Sequence, residues 1–405
     1  MEHIVLSNGL QVYLIPYASP FVAVALGYKV GAAHDPVEAA GLAHLLEHLL
    51  FEDETIAYDS RLQEIGGITN AYTGQDYTVY YARVPVEAVE LALALEAARL
   101  FDLKISAHKV AIQKQVVAEE FRQRYLNPPY ADRLFYLSQA AFSGHPYERM
   151  VIGESPEQIL SISPESVLAF YNSYYAPQHA VLCVAGGVDP SISSQIKDLY
   201  ARSKTSIPLP NIPNIGNRNS SPALIVKEKA VPQNAVIWAF LLPPLDDSAI
   251  PAIDLWDDYL GDESTGFLVR GLVHEKKLAS SLNTYVWSLH AGGLWVVEAF
   301  LADNVPVEAY EEALTEILHK LPANAPREVL ELYRPQKYLQ MHKQREKVLG
   351  RALALVHAVL VGHPEWYEAP LEPYEKITEP MLWEVLRTYF QRAPNVRLHY
   401  IKKAV

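Results

Sequence analysis

The sequence predicts an α+β protein made of two related α/β halves, each a mainly antiparallel sheet packed with helices. Three observations carry this. Strand-like and helix-like segments mix without the strict alternation of a doubly wound parallel fold. A broadly similar order of segments occurs on both sides of residues 204–222, where Pro208, Pro210, Pro213, Gly216, Asn217, Asn219, Ser220 and Ser221 give a linker-like composition. The chain has 405 residues, half of them apolar and a fifth charged, which suits two globular domains of ordinary size. The expected division is 1–203, a linker at 204–222, and 223–405.

Along the first half, residues 10–16 alternate apolar and polar and read as a strand, and 21–30 read as a second. Residues 70–84, rich in Tyr, Thr and Val around Gly74-Gln75-Asp76, read as a strand pair. Helical periodicity marks 38–51, 86–101 and 107–125, the last stopping before Asn127-Pro128-Pro129. Further helices are expected over 131–142 and 164–174. In the second half, strands are expected at 224–227 and 234–242, a helix near 250–260, and strands at 279–288 and 293–300. Helices within 305–360 and at 380–390 then lead to a closing strand at 396–401. Two strands, a helix, two strands, several helices and a closing strand thus occur twice.

A net charge of −13 and the lack of a Lys/Arg cluster argue against a nucleic-acid binder. Cys183 is the only cysteine and lies in the apolar run 180–185, so it reads as a buried strand residue rather than a nucleophile. The first residues show no basic segment followed by a long apolar stretch, and no apolar run reaches membrane-spanning length; a cytoplasmic location is expected.

The most informative stretch is His44-Leu45-Leu46-Glu47-His48, inside a helical pattern free of Gly and Pro after Gly41. Positions four apart share a helix face, so His44 and His48 can offer nitrogens to one ion, with Glu47 beside them. Two imidazoles and a proton-accepting carboxylate are what zinc-assisted hydrolysis needs. The order His-x-x-Glu-His is the inverted zinc signature. A catalytic zinc usually takes a third protein ligand. The helical segment 107–125 carries Glu119-Glu120; adjacent helix residues point about 100° apart, so one of the two can face a site, and spacing does not choose between them.

These residues resemble the pitrilysin, insulinase and mitochondrial processing peptidase family of zinc metallopeptidases. The likeness continues through Gly66-Gly67-Ile68-Thr69-Asn70-Ala71-Tyr72-Thr73-Gly74-Gln75-Asp76-Tyr77-Thr78, through His145-Pro146-Tyr147 with Val151-Ile152-Gly153, and through Tyr174-Tyr175-Ala176-Pro177 to Val184-Ala185-Gly186-Gly187-Val188-Asp189-Pro190. It spans the first half in order and spacing. The resemblance implies a processing-peptidase-like metallohydrolase fold and a zinc endopeptidase acting on peptides or short unfolded segments. It implies one Zn²⁺ per chain held by His44, His48 and Glu120, which lies 72 positions after His48. Glu47 is then the general base, and Asn70, Ala71, Tyr72 and Thr73 pair with an extended peptide. Members often carry a second Glu seven residues before the ligand Glu; here that position is Gln113, which can orient a ligand but cannot act as a base.

The second half lacks the His-x-x-Glu-His pattern. In the segment 272–280, which resembles the one that can supply a substrate-holding Arg and Tyr, the matching positions are His274 and Ser280. Members lacking that pair take it from a zinc-free partner chain. The expected assembly is therefore a heterodimer with a zinc-free homologous subunit, or a homodimer. A non-catalytic scaffold of the same family is the alternative.

Overall fold

The computed structural model describes residues 1–53, 56–189, 191–215 and 222–403. Its first sheet contains β1 (Glu2–Val5), β2 (Gln11–Pro16), β3 (Phe21–Tyr28), β4 (Ile68–Thr73), β5 (Thr78–Pro85) and β6 (Ala180–Gly186). They lie in the order β1-β2-β6-β3-β5-β4, with β2 and β6 parallel and the other neighbours antiparallel. The second sheet contains β7 (Ala223–Lys229), β8 (Ala235–Leu242), β9 (Ala279–Leu289), β10 (Gly292–Leu301) and β11 (Val396–Lys402), in the order β7-β11-β8-β10-β9. Here β7 and β11 form the parallel pair. Each sheet is thus mainly antiparallel and packed with helices, the α+β architecture expected.

Two compact units result. One contains Met1–Gln123, Arg149–Asn211 and Met341–Pro370; the other contains Arg124–Glu148, Ile212–Gln340 and Leu371–Val405. Set beside the expected halves 1–203 and 223–405, each unit draws most of its residues from one half and takes a segment from the other. The boundary between units falls within the linker at 211/212. Residues 204–215 form no regular element, and the Gly- and Asn-containing stretch 216–221 lies outside the described residues.

The exchange has a packing cause. The helix Val348–Leu360, far along the chain, is apolar on a wide face and covers one side of the first sheet. Its Ala352, Leu355, Val356 and Val359 join Tyr13, Ala23, Ala25, Val181 and Cys183 in one core. Side chains two apart on a strand share a face, so the residues of β3 that meet this helix alternate along it. Gly27 lies on that same face: a Cβ there would sit 2.6 Å from Cγ1 of Val356 and 2.8 Å from Cδ1 of Leu360. Cys183 is fully buried in this core, and burial pushes its thiol well above the usual range.

Most expected elements appear within a few residues of their predicted bounds. The helix expected over 38–51 is shorter, Leu42–Leu49. Gly41 in front of it adopts φ 90°, a left-handed conformation that interrupts a right-handed helix. The helix expected over 107–125 runs Ala107–Phe121, then widens into π-helical turns over Arg122–Leu126. The short edge strand β1 and the helix Ile192–Tyr200 were not anticipated. No helix among the described residues is long and apolar enough to cross a membrane.

Candidate metal centre

The site is built on two helices of the first unit, Leu42–Leu49 and Ala107–Phe121, which pack on each other. The first is amphipathic: Leu42, Leu45, Leu46 and Leu49 are buried, and His44, Glu47 and His48 share the remaining stripe. Its start is fixed from a distance. Asp35 accepts hydrogen bonds from the backbone N–H of Gly41 at 2.7 Å and of Ala43 at 2.9 Å. A Cβ at Gly41 would lie 2.8 Å from the carbonyl oxygen of Ile152, so glycine is required there. Asp35 is 5% exposed, and burial pushes its carboxyl up to about 7, against the pull of those backbone amides and of Arg149. Sequence reasoning missed Asp35. A capping carboxylate usually directly precedes its helix, whereas this one stands six residues upstream of Gly41.

The second helix begins with Ser106, whose side chain accepts from the N–H of Lys109. It turns Glu119 and Glu120 in different directions. Glu119 is exposed and pairs with Arg122 at 3.4 Å and Gln123 at 3.0 Å. Glu120 faces the first helix: its Oε2 lies 3.5 Å from Nε2 of His48 and 3.9 Å from Nε2 of His44. The two imidazoles meet edge to face, with ring centres 4.8 Å apart and planes at 81°. One donor atom from each of His44, His48 and Glu120 lies within 4.8 Å of the others.

That spacing can be set against what zinc requires. Zn–N and Zn–O bonds of about 2.0–2.1 Å in a tetrahedral arrangement place neighbouring donors about 3.3 Å apart. Donor separations of 3.5 and 3.9 Å to Glu120, with all three donors inside 4.8 Å of one another, are near that spacing. Two imidazoles and one carboxylate are also a donor set zinc favours. The residues present fit the metal.

Gln113 lies two turns before Glu120 on the same helix and is buried. Its Oε1 is 3.3 Å from Nδ1 of His48. An amide oxygen can only accept, so His48 carries its proton on Nδ1 in this bond and leaves the Nε2 lone pair on the Glu120 side. Burial lowers the proton affinity of His48, but Glu120, Glu47 and Gln113 together outweigh it and raise the pKa.

Glu47 takes no part in the three-donor cluster. Its Oε2 accepts a hydrogen bond from the hydroxyl of Thr73, at the end of β4. Asn70, Ala71, Tyr72 and Thr73 form most of β4, the outermost strand of its sheet, and alternate between exposed and half-buried. The site helix packs on β4, so the open edge of that strand runs directly to Glu47. Of the two second-half positions, His274 is exposed, and the exposed Ser280 is bonded to Gln233 and to the carbonyl of Phe300.

Beneath the site lies a fully buried ion pair. Arg99 and Glu96, one turn apart on the helix Val89–Phe101, are 3.5 Å apart with both side chains 0% exposed. The guanidinium stacks 3.6 Å over the ring of Tyr58 and 4.7 Å from those of Phe51 and Tyr80, and Tyr58 donates a hydrogen bond to Glu96. Phe51 follows the site helix directly, so this cage supports the helix carrying both histidines.

Comparison with known proteins places these features in a family. Residues 13–155 match the description "Insulinase (Peptidase family M16)", and residues 161–334 match "Peptidase M16 inactive domain". A zinc protease of Helicobacter pylori, PqqE, is 27% identical over 331 residues, covering 79% of this chain and 74% of that protein. The crystal structure of a protease from Helicobacter pylori superposes with a TM-score of 0.89 at 23% identity, covering 98% of each chain. A peptidase M16 inactive domain from Pseudomonas fluorescens superposes with a TM-score of 0.84 at 18% identity, covering 100% of this chain and 98% of that one. These structural likenesses establish the fold.

Proposed function

Because the chain belongs to the insulinase/pitrilysin family, peptidase family M16, we propose that it is a zinc-dependent endopeptidase that hydrolyses peptides or short unfolded segments. The convergence of His44, His48 and Glu120 within 4.8 Å, beside a Glu47 left outside the cluster, carries this reading.

In it, His44 and His48 hold the ion through nitrogen and Glu120 through a carboxylate oxygen. Bound there, zinc supplies Lewis acidity that makes water a competent nucleophile near neutral pH and polarises a peptide carbonyl. Gln113 keeps the proton of His48 on Nδ1. Glu47 takes the proton of the attacking water and passes it to the leaving amine. The hydroxyl of Thr73 holds one oxygen of Glu47, so the carboxylate is already oriented before substrate arrives. An extended peptide pairs with the open edge of β4 along Asn70, Ala71, Tyr72 and Thr73. Backbone pairing reads no side chain, so cleavage depends more on an extended substrate conformation than on one preferred residue.

Zinc content and hydrolysis of a fluorogenic peptide mixture test this together, on the chain alone and with any zinc-free homologous chain that co-purifies. The expected result is stoichiometric zinc and chelator-sensitive cleavage in at least one state. Activity only in the mixture identifies the chain as the zinc-bearing subunit of a heterodimer; activity alone identifies a self-sufficient enzyme. Stoichiometric protein without zinc and without cleavage in either state overturns the reading.

A further inference from the structure

The helix Val307–His319 of the second unit borders a cavity that the proposed peptidase chemistry does not use. Its floor is apolar and comes largely from the second sheet. Trp238 on β8 stands opposite Arg397 on β11, so the two share the face that meets this helix. Phe390 and Leu318 complete the floor, and the space measures about 910 Å³, at the upper end of the range for small-ligand sites. The apolar surface continues outward along β7. Leu224 and Val226 stand beside Arg397 and His399, share their face, and are each 51% exposed.

Charge is divided between the two ends of this cavity. Glu311, in the first half of the helix, is fully engaged. It accepts from the indole N–H of Trp238 at 2.8 Å, and lies 2.9 Å from Nε2 of His399 and 3.5 Å from Nη1 of Arg397. Glu316 pairs with Lys320 at 2.8 Å and with Lys276 at 3.5 Å. Glu308 and Glu312, nearer the helix start, line the cavity, are exposed and make no ion pair among the described residues. At the other end, Gln391 donates to the carbonyl of Leu318 at 2.7 Å, which sets Arg392 beside the last turn of the helix. The half-buried guanidinium of Arg392 donates to the carbonyl of Leu241 and meets no carboxylate among the described residues. A ligand carboxylate would supply the missing counter-charge through a charge-assisted hydrogen bond.

The spacing of the ends sets the ligand. A helix rises about 1.5 Å per residue, so Glu312 and Glu308 stand about 9 and 15 Å before Leu318 along its axis. An ammonium at one end, a carboxylate at the other and an apolar group between them describe a short peptide with free termini. Three or four extended residues span about 10–14 Å. We propose that the cavity binds such a peptide, with its N-terminus at Glu308 and Glu312, its C-terminal carboxylate at Arg392, and an apolar side chain over Trp238 and Phe390. Such binding is separate from cleavage at the metal centre and does not require it.

Isothermal titration calorimetry tests this on the full zinc-loaded chain carrying E47Q, so that no probe is consumed. The probes are alanyl-phenylalanyl-alanine with free termini, its N-acetyl form and its C-terminal amide. Blocking either terminus should weaken binding about tenfold or more, because each block removes a hydrogen-bonded charge pair. E308Q/E312Q should erase the penalty of acetylation and keep that of amidation, and R392Q should do the reverse. Both glutamates are exposed, so E308Q/E312Q keeps the fold and decides the matter if R392Q does not fold. Three results would overturn the proposal: no saturable heat from the free peptide up to about 1 mM, blocked forms that bind as tightly as the free one, or an E308Q/E312Q chain that still discriminates against the acetylated peptide.

Discussion

Replacing Gln113 by alanine should weaken zinc binding without removing any ligand. The side chain touches the site through one hydrogen bond, Oε1 to Nδ1 of His48 at 3.3 Å. Partners of this kind fix the tautomer and ring angle of a ligating histidine, and losing one typically costs about 10–100-fold in metal affinity. The bond here is at the long end for nitrogen to oxygen, so the lower figure applies: about tenfold, or roughly 1.4 kcal/mol. Gln113 is also buried, and truncation should cost the fold roughly 1–2 kcal/mol through the cavity it leaves. The two effects separate cleanly, because the first appears in zinc affinity and the second in metal-free unfolding. Q113E keeps the shape and adds a negative charge facing His48, so its zinc affinity should match or exceed wild type. Chelator competition with a chromogenic zinc indicator measures all three proteins. A Q113A dissociation constant within twofold of wild type would refute the idea that this amide positions His48.

Other parts of the structure give equally direct expectations. G27A drives a methyl into Val356 and Leu360 and should cost about 1–3 kcal/mol in urea unfolding; V356A, added to it, should return part of that loss, and its failure to do so would show that the helix Val348–Leu360 is not pressed against β3. R99M leaves Glu96 buried without its partner and should cost about 3–5 kcal/mol, whereas R99M/E96Q should cost less; equal losses would contradict a role for charge balance. Asp35 binds its proton more tightly in the folded chain, at about 7 against an ordinary 3.8. The unfolded chain therefore holds fewer protons between those values, and this group makes stability fall as pH rises from about 4 to 7, by up to roughly 4 kcal/mol, and adds no slope above. D35N lacks that component, so a wild-type-minus-D35N stability difference that is flat from pH 4.5 to 7.5 would count against it.

The parts of the fold that were legible in the sequence are those governed by local pattern. Helix periodicity located 107–121 and 164–174, and β-branched and aromatic runs located β3, β5, β8 and β10. The two histidines and Glu47 were legible because one helix face carries them, four and three residues apart. The choice of Glu120 over Glu119 was not fixed by spacing, since it depends on how one helix is rotated against another. The exchange of segments between units escaped prediction for a related reason. Nothing local in Val348–Leu360 says which sheet it will cover; only the small residues Ala23, Ala25 and Gly27 on β3 make room for it. Asp35 and the Arg99–Glu96 cage are likewise tertiary, one reaching across a loop and the other needing aromatic rings from three separate elements.

The most direct test of the central claim is Glu47→Gln, assayed for bound zinc and peptide cleavage in the same preparation. Glu47 lies outside the three-donor cluster, and Gln keeps an oxygen that can accept from Thr73. The account predicts wild-type zinc content and a loss of cleavage of about 100-fold or more. Cleavage that persists at the wild-type rate with zinc in place would contradict it.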